Sequence, residues 1–231
     1  MIEFKILKKS KKSRARLGIL KTSHGEIETP AFVPVATQAV VKTLTSDEVK
    51  QTKSRILICN TFHLHLKPGE KIVKSAGKLH KFMNWDRPLM TDSGGFQVFS
   101  LAHARKIEEK GVTFKDPVSG DSAFLSPEKS IQIQMKLGAD MMVAFDDVVA
   151  LDDKSRLRTR EAFERTHRWL ERSLAEFQKL TKSMKPSDKP LLFGVVQGGL
   201  DKGLRKQSLE MVQALLVDGI AIGGLSVGED R

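Results

Sequence analysis

The chain has one cysteine, Cys59, in 231 residues. This excludes an intrachain disulfide and a cysteine-rich zinc cage built from this chain alone. Cys59 itself follows Ile56-Leu57-Ile58 and reads as a small buried strand residue. Long apolar runs are also lacking: no stretch approaches the roughly 18 residues of a membrane span, and the lysine-rich start from Met1 to Lys12 has no cleavable apolar stretch behind it. The expectation is a cytoplasmic protein without a membrane partner. There is no low-complexity tract and no internal repeat beyond an alternation of strand and helix. No GxGxxG turn follows the first strand-like segment, and neither Ser93 nor Ser100 sits in a nucleophile elbow. A dinucleotide-binding open sheet and a serine hydrolase are therefore disfavoured.

What is present is an ordinary globular composition, 40% hydrophobic and 29% charged, with 17 Gly and 8 Pro. The length admits one large domain or two small ones. The net charge of +11 is unevenly placed. Residues 1–81 carry 17 Lys and Arg against 6 Asp and Glu, whereas residues 82–231 carry 22 of each. A basic first third suits a polyanionic partner, since each phosphate neutralised releases condensed counterions. A solvated face that keeps the protein soluble accounts for the same charges.

Six short apolar runs end abruptly in polar or glycine residues. They are Ala31 to Ala36, Ile56 to Cys59, Pro88 to Met90, Met141 to Phe145, Leu191 to Val196 and Ile220 to Ile222. Helical patterns lie between several of them. Ser126 is placed as an N-cap with Pro127 at the first helical position, followed by Ile131, Met135 and Leu137. Phe163, Leu170, Leu174 and Phe177 form one stripe between Arg156 and Leu180, and Leu204, Met211, Val212 and Leu215 form another that Ser208 interrupts. The charged stretch from Lys179 to Lys189 reads as a loop. Alternating strand and helix with polar residues at the strand ends favours a parallel sheet of the (β/α)8 barrel type, whose chemistry gathers at the C-terminal ends of several strands. Residues 1–231 are read as one such domain.

Three of those strand ends offer chemistry. Thr91-Asp92-Ser93-Gly94-Gly95-Phe96-Gln97 combines paired glycines, which let backbone N–H groups approach a flat ligand, with a phenylalanine that can stack on a base and a carboxylate that can move a proton. A tight turn in which Asp92 caps a helix near Gly95 is the plainer account. Asp146 and Asp147 alternate across an extended chain, so only one faces a pocket. An ionised carboxylate there matches the N1–H and 2-amino donors of guanine. Gln197 and the backbone near Gly223-Gly224 supply donors for a carbonyl such as O6. His63-Leu64-His65 would place two imidazoles on one side of a strand, but spacing reveals no third ligand. Trp85 and Trp169 are assigned to the core.

The combination Asp92-Ser93-Gly94-Gly95-Phe96-Gln97, Gln197-Gly198-Gly199 and Gly223-Gly224-Leu225-Ser226-Val227-Gly228-Glu229 resembles the tRNA-guanine transglycosylases, also called queuine tRNA-ribosyltransferases. So do Thr29-Pro30-Ala31-Phe32-Val33-Pro34-Val35, Asn60-Thr61-Phe62-His63-Leu64, Leu125-Ser126-Pro127-Glu128 and Phe145-Asp146-Asp147, and the similarity spans nearly the whole chain. The resemblance implies a (β/α)8 barrel and a pentosyl-transferring enzyme. Guanine at the wobble position of tRNA with a GUN anticodon would be exchanged for a 7-deazaguanine, queuine or its precursor, through a covalent RNA intermediate. It further implies Asp92 as proton acceptor, with Asp92, Ser93, Gly94, Gly95, Phe96, Asp146, Gln197, Gly224 and Leu225 holding the base. Phe96 would stack, Asp146 and Gln197 would read the base edge, Gly224 and Leu225 would contact it through backbone, and Glu229 would brace that last loop. A homodimer and a zinc ion belong to the full-length family.

Phe62 stands where the family usually has Tyr, Asp147-Val148 is similar to eukaryotic members, and Val227 is similar to bacterial ones. The preferred base therefore stays open. The family's nucleophilic aspartate, basic RNA loop and Cys/His zinc site lie further along than Arg231, so the expectation is an N-terminal portion of a barrel truncated after about six strands, with no cofactor and no metal ligand of its own. A non-catalytic tRNA-binding or partner subunit is the alternative.

Overall fold

A computed structural model describes residues 4–101, 105–117, 119–150 and 155–225. The architecture is mixed α/β. In chain order the elements are β1 (Phe4–Lys9), β2 (Arg16–Thr22), β3 (Gly25–Thr29), α1 (Ser46–Gln51), β4 (Leu57–Cys59), α2 (Thr61–Leu66), α3 (Glu70–Ser75), α4 (Lys78–Phe82), β5 (Leu89–Thr91) and α5 (Gly95–Leu101). There follow β6 (Arg105–Glu108), β7 (Gly111–Lys115), β8 (Ser122–Leu125), α6 (Pro127–Leu137), β9 (Met141–Val143), α7 (Arg156–Thr181), β10 (Leu191–Val196), α8 (Lys202–Ala214) and β11 (Gly219–Ile222).

Five strands form a parallel sheet in the order β11-β10-β9-β5-β4, and β1-β2-β3 and β6-β7-β8 form two separate antiparallel sheets. Sheet order follows chain order without reversal. That is how strands run in a (β/α) barrel, whereas a doubly wound sheet switches direction part-way. Among the described residues the sheet does not close, β4 and β11 standing at its two ends. Five of the six expected strands form. The sixth, Ala31 to Ala36, does not, and only Val35 makes an isolated parallel bridge, to Ile58. Pro34 removes one backbone donor from that run, whose contact with β4 consists of the Ile58 N–H donating to the Pro34 carbonyl at 3.0 Å and the Ala36 N–H donating to the Ile58 carbonyl at 2.7 Å.

By Cα proximity the chain resolves into two compact units, residues 1–91 with 134–141 and 181–190, and residues 92–133 with 142–180 and 191–231. In the first, β4 and β5 pair in parallel, Leu57 opposite Leu89 and Cys59 opposite Thr91. Leu64, Val73, Leu79, Trp85 and Cys59 are buried there. Thr45 caps α1 in a reciprocal capping box with Glu48. The segment after β4 corrects the reading of His63 and His65: it is helix α2, not strand. Residues two apart on a helix lie on nearly opposite faces. The two imidazoles accordingly diverge, His65 onto Glu70 at 2.7 Å and His63 edge-on to Phe62.

In the second unit, β10 and β11 pair in parallel from Phe193–Gly219 to Val196–Ile222. Ser126 caps α6 through the backbone N–H of Lys129, 3.2 Å away. Helix α7 buries Phe163, Leu170 and Phe177 together with Trp169, whose ring stacks on Phe145 at 5.0 Å. On α8 the expected stripe is narrower than the sequence suggests. Val212 is buried, but Met211 is 41% exposed because it lies one position round the helix from Val212, about 100° away.

Candidate active site

The C-terminal ends of the parallel strands place the chemistry-bearing residues of the second unit within a few ångströms of one another. After β5, Asp92 and Ser93 turn the chain into α5. The Asp92 carboxylate accepts the Gly94 N–H at 3.2 Å, and the Ser93 hydroxyl accepts the Gly95 N–H at 3.1 Å. Two backbone donors at the turn into α5 are thus met by side chains, the capping role that the sequence leaves open for Asp92. The Ser130 hydroxyl of α6 donates to the Ser93 carbonyl at 2.7 Å and fixes the turn from behind. Gly95 is there because nothing larger fits. A Cβ at that position would stand 2.8 Å from the Asp146 carbonyl oxygen and 2.9 Å from its carboxylate.

Asp146 follows β9 and is buried. It receives the Ser93 hydroxyl at 3.2 Å on Oδ1 and the Gln197 amide at 2.7 Å on Oδ2. Burial, the largest influence, pushes its carboxyl up; the Gln197 and Ser93 hydrogen bonds pull it down and the neighbouring Asp147 charge pushes up again, leaving it at about 6. A carboxylic acid poised near neutrality at a strand end has the signature of a functional group. On the side lined by Phe145, Trp169 and Val112 the cavity touching Asp146 is about 10 Å³, room for one water at most.

Asp147 points away from that carboxylate and is buried in a different bond set. Arg158 grips both its oxygens, at 2.5 and 2.9 Å, and Arg165 reaches Oδ2 at 2.5 Å. Its backbone N–H donates to Thr166 at 3.0 Å. Among the described residues Asp147 is thus paired with cations and Asp146 is not.

Gln197, just after β10, is held by its backbone as well as its side chain. Its N–H donates to the Ser208 hydroxyl at 2.9 Å, and Ser208 faces His167 Nε2 at 3.0 Å, while His167 Nδ1 faces the Phe163 carbonyl at 2.7 Å. A carbonyl can only accept, so Nδ1 carries a proton toward Phe163, and Ser208 meets the opposite nitrogen of the ring. Ser208 interrupts the apolar stripe of α8 because it closes this buried chain. After β11, Gly224 adopts φ +68°, and a Cβ on it would meet Gln197 Oε1 at 3.0 Å. Arg205 donates to the Gly223 carbonyl at 3.2 Å. Phe96 is 39% exposed on α5 and Leu225 is exposed beyond β11. Glu229 and Val227 lie outside the described residues.

A match to the family model described as queuine tRNA-ribosyltransferase runs over residues 10–231. The chain belongs to the queuine tRNA-ribosyltransferase family. Curated queuine tRNA-ribosyltransferases similar to it include one from Shouchella clausii, 50% identical over 231 residues, and one from Acetivibrio thermocellus, 50% identical over 228. Another is from Staphylococcus epidermidis, 49% identical over 230 residues. These alignments cover 99 to 100% of this chain and 59% of each relative, so the chain spans about three-fifths of the length of the curated family members it matches.

The zinc that the resemblance implies for the family finds no thiolate cage in these residues. Cys59 is the one cysteine and is buried, its sulfur 4.0 Å from that of Met83. Sequence reasoning did miss several groups. Arg158 and Arg165 are seven residues apart on α7 and so share a face, a spacing that was available as a signal. His167 gave none, since its partners come from α8 and its own preceding turn. The grouping of His24, His80 and Asp140, whose candidate ligand atoms lie within 4.8 Å of one another, was likewise not expected.

Proposed function

We propose that this family member contributes guanine recognition and proton transfer to a tRNA base exchange, in which wobble-position guanine of a GUN anticodon gives way to a 7-deazaguanine such as queuine or its precursor. The observation that carries the reading is Asp146, buried, without a cationic partner among the described residues, and pushed up to about 6 between Ser93 and Gln197. In its ionised form it accepts from the N1–H and 2-amino group of guanine, replacing solvation that burial has removed. Gln197 lies beside it to meet O6, Phe96 offers a stacking face, and Gly224 and Leu225 bring backbone to the base edge.

The exchange is two displacements. An aspartate carboxylate, supplied from outside the base site, forms a bond to ribose C1′ as the C1′–N9 bond breaks and guanine leaves with that electron pair, its N9 taking up a proton from Asp92. The incoming base then gives its N9 proton to Asp92, attacks C1′ and releases the aspartate. The target nucleotide must leave the RNA stack to be reached. The basic β1–β2 hairpin supports tRNA as the partner. Lys8, Lys9, Lys11, Lys12 and Arg16 line a cavity of about 610 Å³ there, suited to phosphate contact. The homodimer and zinc of the full-length family, and a cytoplasmic location, belong to the same proposal.

Calorimetric titration of guanine into the chain, repeated with Asp146→Ala, tests the reading. Charge-assisted bonds of this kind are worth about 1.5–3 kcal/mol, so the variant should lose on the order of tenfold or more in affinity. Because binding favours the ionised carboxylate, the wild-type titration at pH 6 should also release protons, seen as a heat that varies with the buffer. Equal affinity in the variant would overturn the assignment of Asp146.

A further inference from the structure

We propose that His24, His80 and Asp140 form a binding site for a divalent ion of the zinc type, with a fourth position open to the cavity beside them. Their candidate ligand atoms lie within 4.8 Å of one another, and all three belong to the first compact unit. None is a residue of the proposed base site, so the inference stands apart from the proposed function. None is a cysteine either.

Two imidazoles converge on one carboxylate here. His80 Nε2 lies 3.3 Å from Asp140 Oδ2, close enough for an ion pair but out of line for a hydrogen bond, and among the described residues this buried nitrogen has no hydrogen-bond partner. Buried polar atoms are rarely left so. Two ligands at 2.0–2.1 Å from a tetrahedral ion stand about 3.3 Å apart, the separation found here. His24 Nδ1 is 2.6 Å from Asp140 Oδ1, a hydrogen-bond separation that must open by about 0.7 Å to admit an ion. His24 can yield that much, since its side chain is 39% exposed on the two-residue turn between β2 and β3. It is stacked on His80 with 3.6 Å between ring centroids, so one small rotation moves its nitrogen relative to a fixed neighbour.

The carboxylate is already oriented. Ser23 donates to Asp140 Oδ1 at 2.7 Å and the Leu89 N–H donates to Oδ2 at 2.8 Å, an outer shell of the kind that fixes metal-binding carboxylates. A cavity of about 250 Å³ adjoins the three residues and holds space for a bound water. Lys78 and Lys81 line it, and Asp188 does too, adding a second negative charge to set against them. Two imidazoles, one carboxylate and one open position suit zinc or cobalt better than calcium or magnesium, which prefer all-oxygen shells. An ion here would tie the β2–β3 turn to α4 and to the start of β9, a staple within the first unit.

The test uses the purified chain, stripped with chelator and titrated with Co²⁺ and then Zn²⁺. The expected result is one equivalent bound per chain, visible d–d absorption without the charge-transfer band of a thiolate, and displacement of cobalt by zinc. His80→Ala should weaken uptake by on the order of tenfold or more, and so should His24→Ala on its exposed turn, whereas His65→Ala should bind as wild type does. Should His80→Ala fail to fold, the His24→Ala titration and the wild-type cobalt spectrum decide. Absence of stoichiometric uptake, a thiolate band, or unchanged uptake in His24→Ala would overturn the site.

Discussion

Replacing Asp146 by Asn should stabilise the chain at neutral pH and leave it no more stable near pH 4. The sign follows from linkage. Asp146 titrates at about 6 in the fold against 3.8 as the ordinary value, so between those two pH values the folded chain holds a proton that the unfolded chain has lost. Below about pH 3.8 both states are protonated and the group makes no difference. As pH rises through 6 the fold must ionise a buried carboxyl, and the full difference of about 3 kcal/mol is then a penalty on the native state. The amide that Asp146→Asn introduces carries no charge and escapes it. It offers one acceptor where the carboxylate had two, for Ser93 and Gln197, at a loss of about 1 kcal/mol. The net gain at pH 7.5 is therefore about 2 kcal/mol, a sizeable fraction of the stability of an ordinary domain. Urea unfolding of both proteins at intervals from pH 4 to pH 8, followed by circular dichroism, reads the difference directly. A difference that does not change with pH, or a variant less stable than wild type at pH 7.5, would refute the account. Under the proposed function the buried carboxylate lowers native stability at neutral pH, and Asp146→Asn exposes that cost.

The neighbouring residue gives the opposite result. Asp147→Ala removes a buried carboxylate that Arg158 and Arg165 both grip, and breaking such a pair by deleting one side should cost about 3–5 kcal/mol; a thermal melt showing less than about 1 kcal/mol lost would sink the pairing as a structural element. Ser208→Ala should cost about 1–3 kcal/mol, because it strands both His167 Nε2 and the Gln197 N–H, and amide exchange at Gln197 should speed up relative to the residues of β10 before it; an unchanged exchange rate there would show that the chain from His167 does not hold Gln197.

How much of this was legible depends on whether the signal lay along the chain or across it. The parallel strands were readable because each is a short apolar run that stops at a polar residue, and the stop is where the sheet ends and the site begins. The same rule failed at Ala31 to Ala36, where composition suggested a strand but Pro34 lacks a backbone donor and the pairing with β4 stops at a single bridge. It failed again at His63 and His65, because β4 is only three residues long and the chain passes into helix α2 after Asn60. The antiparallel sheets left little pattern: every residue of β1 is exposed, so no alternation marks it.

The site divides in the same way. That Asp146 and Asp147 face apart follows from the two-residue period of an extended chain, and no partner need be known to see it. What separates their chemistry is the partners. Asp147 meets arginines 11 and 18 residues further on, and Asp146 meets an amide 51 residues away. Ser208 was visible as a flaw in an apolar stripe, yet its purpose rests on a histidine 41 residues earlier. Asp140 and His24 are 116 residues apart and share no local pattern at all. Charge pairing and relay bonds are therefore properties that only folding creates, and they turn two identical adjacent residues into one carboxylate gripped by two arginines and another buried between a hydroxyl and an amide.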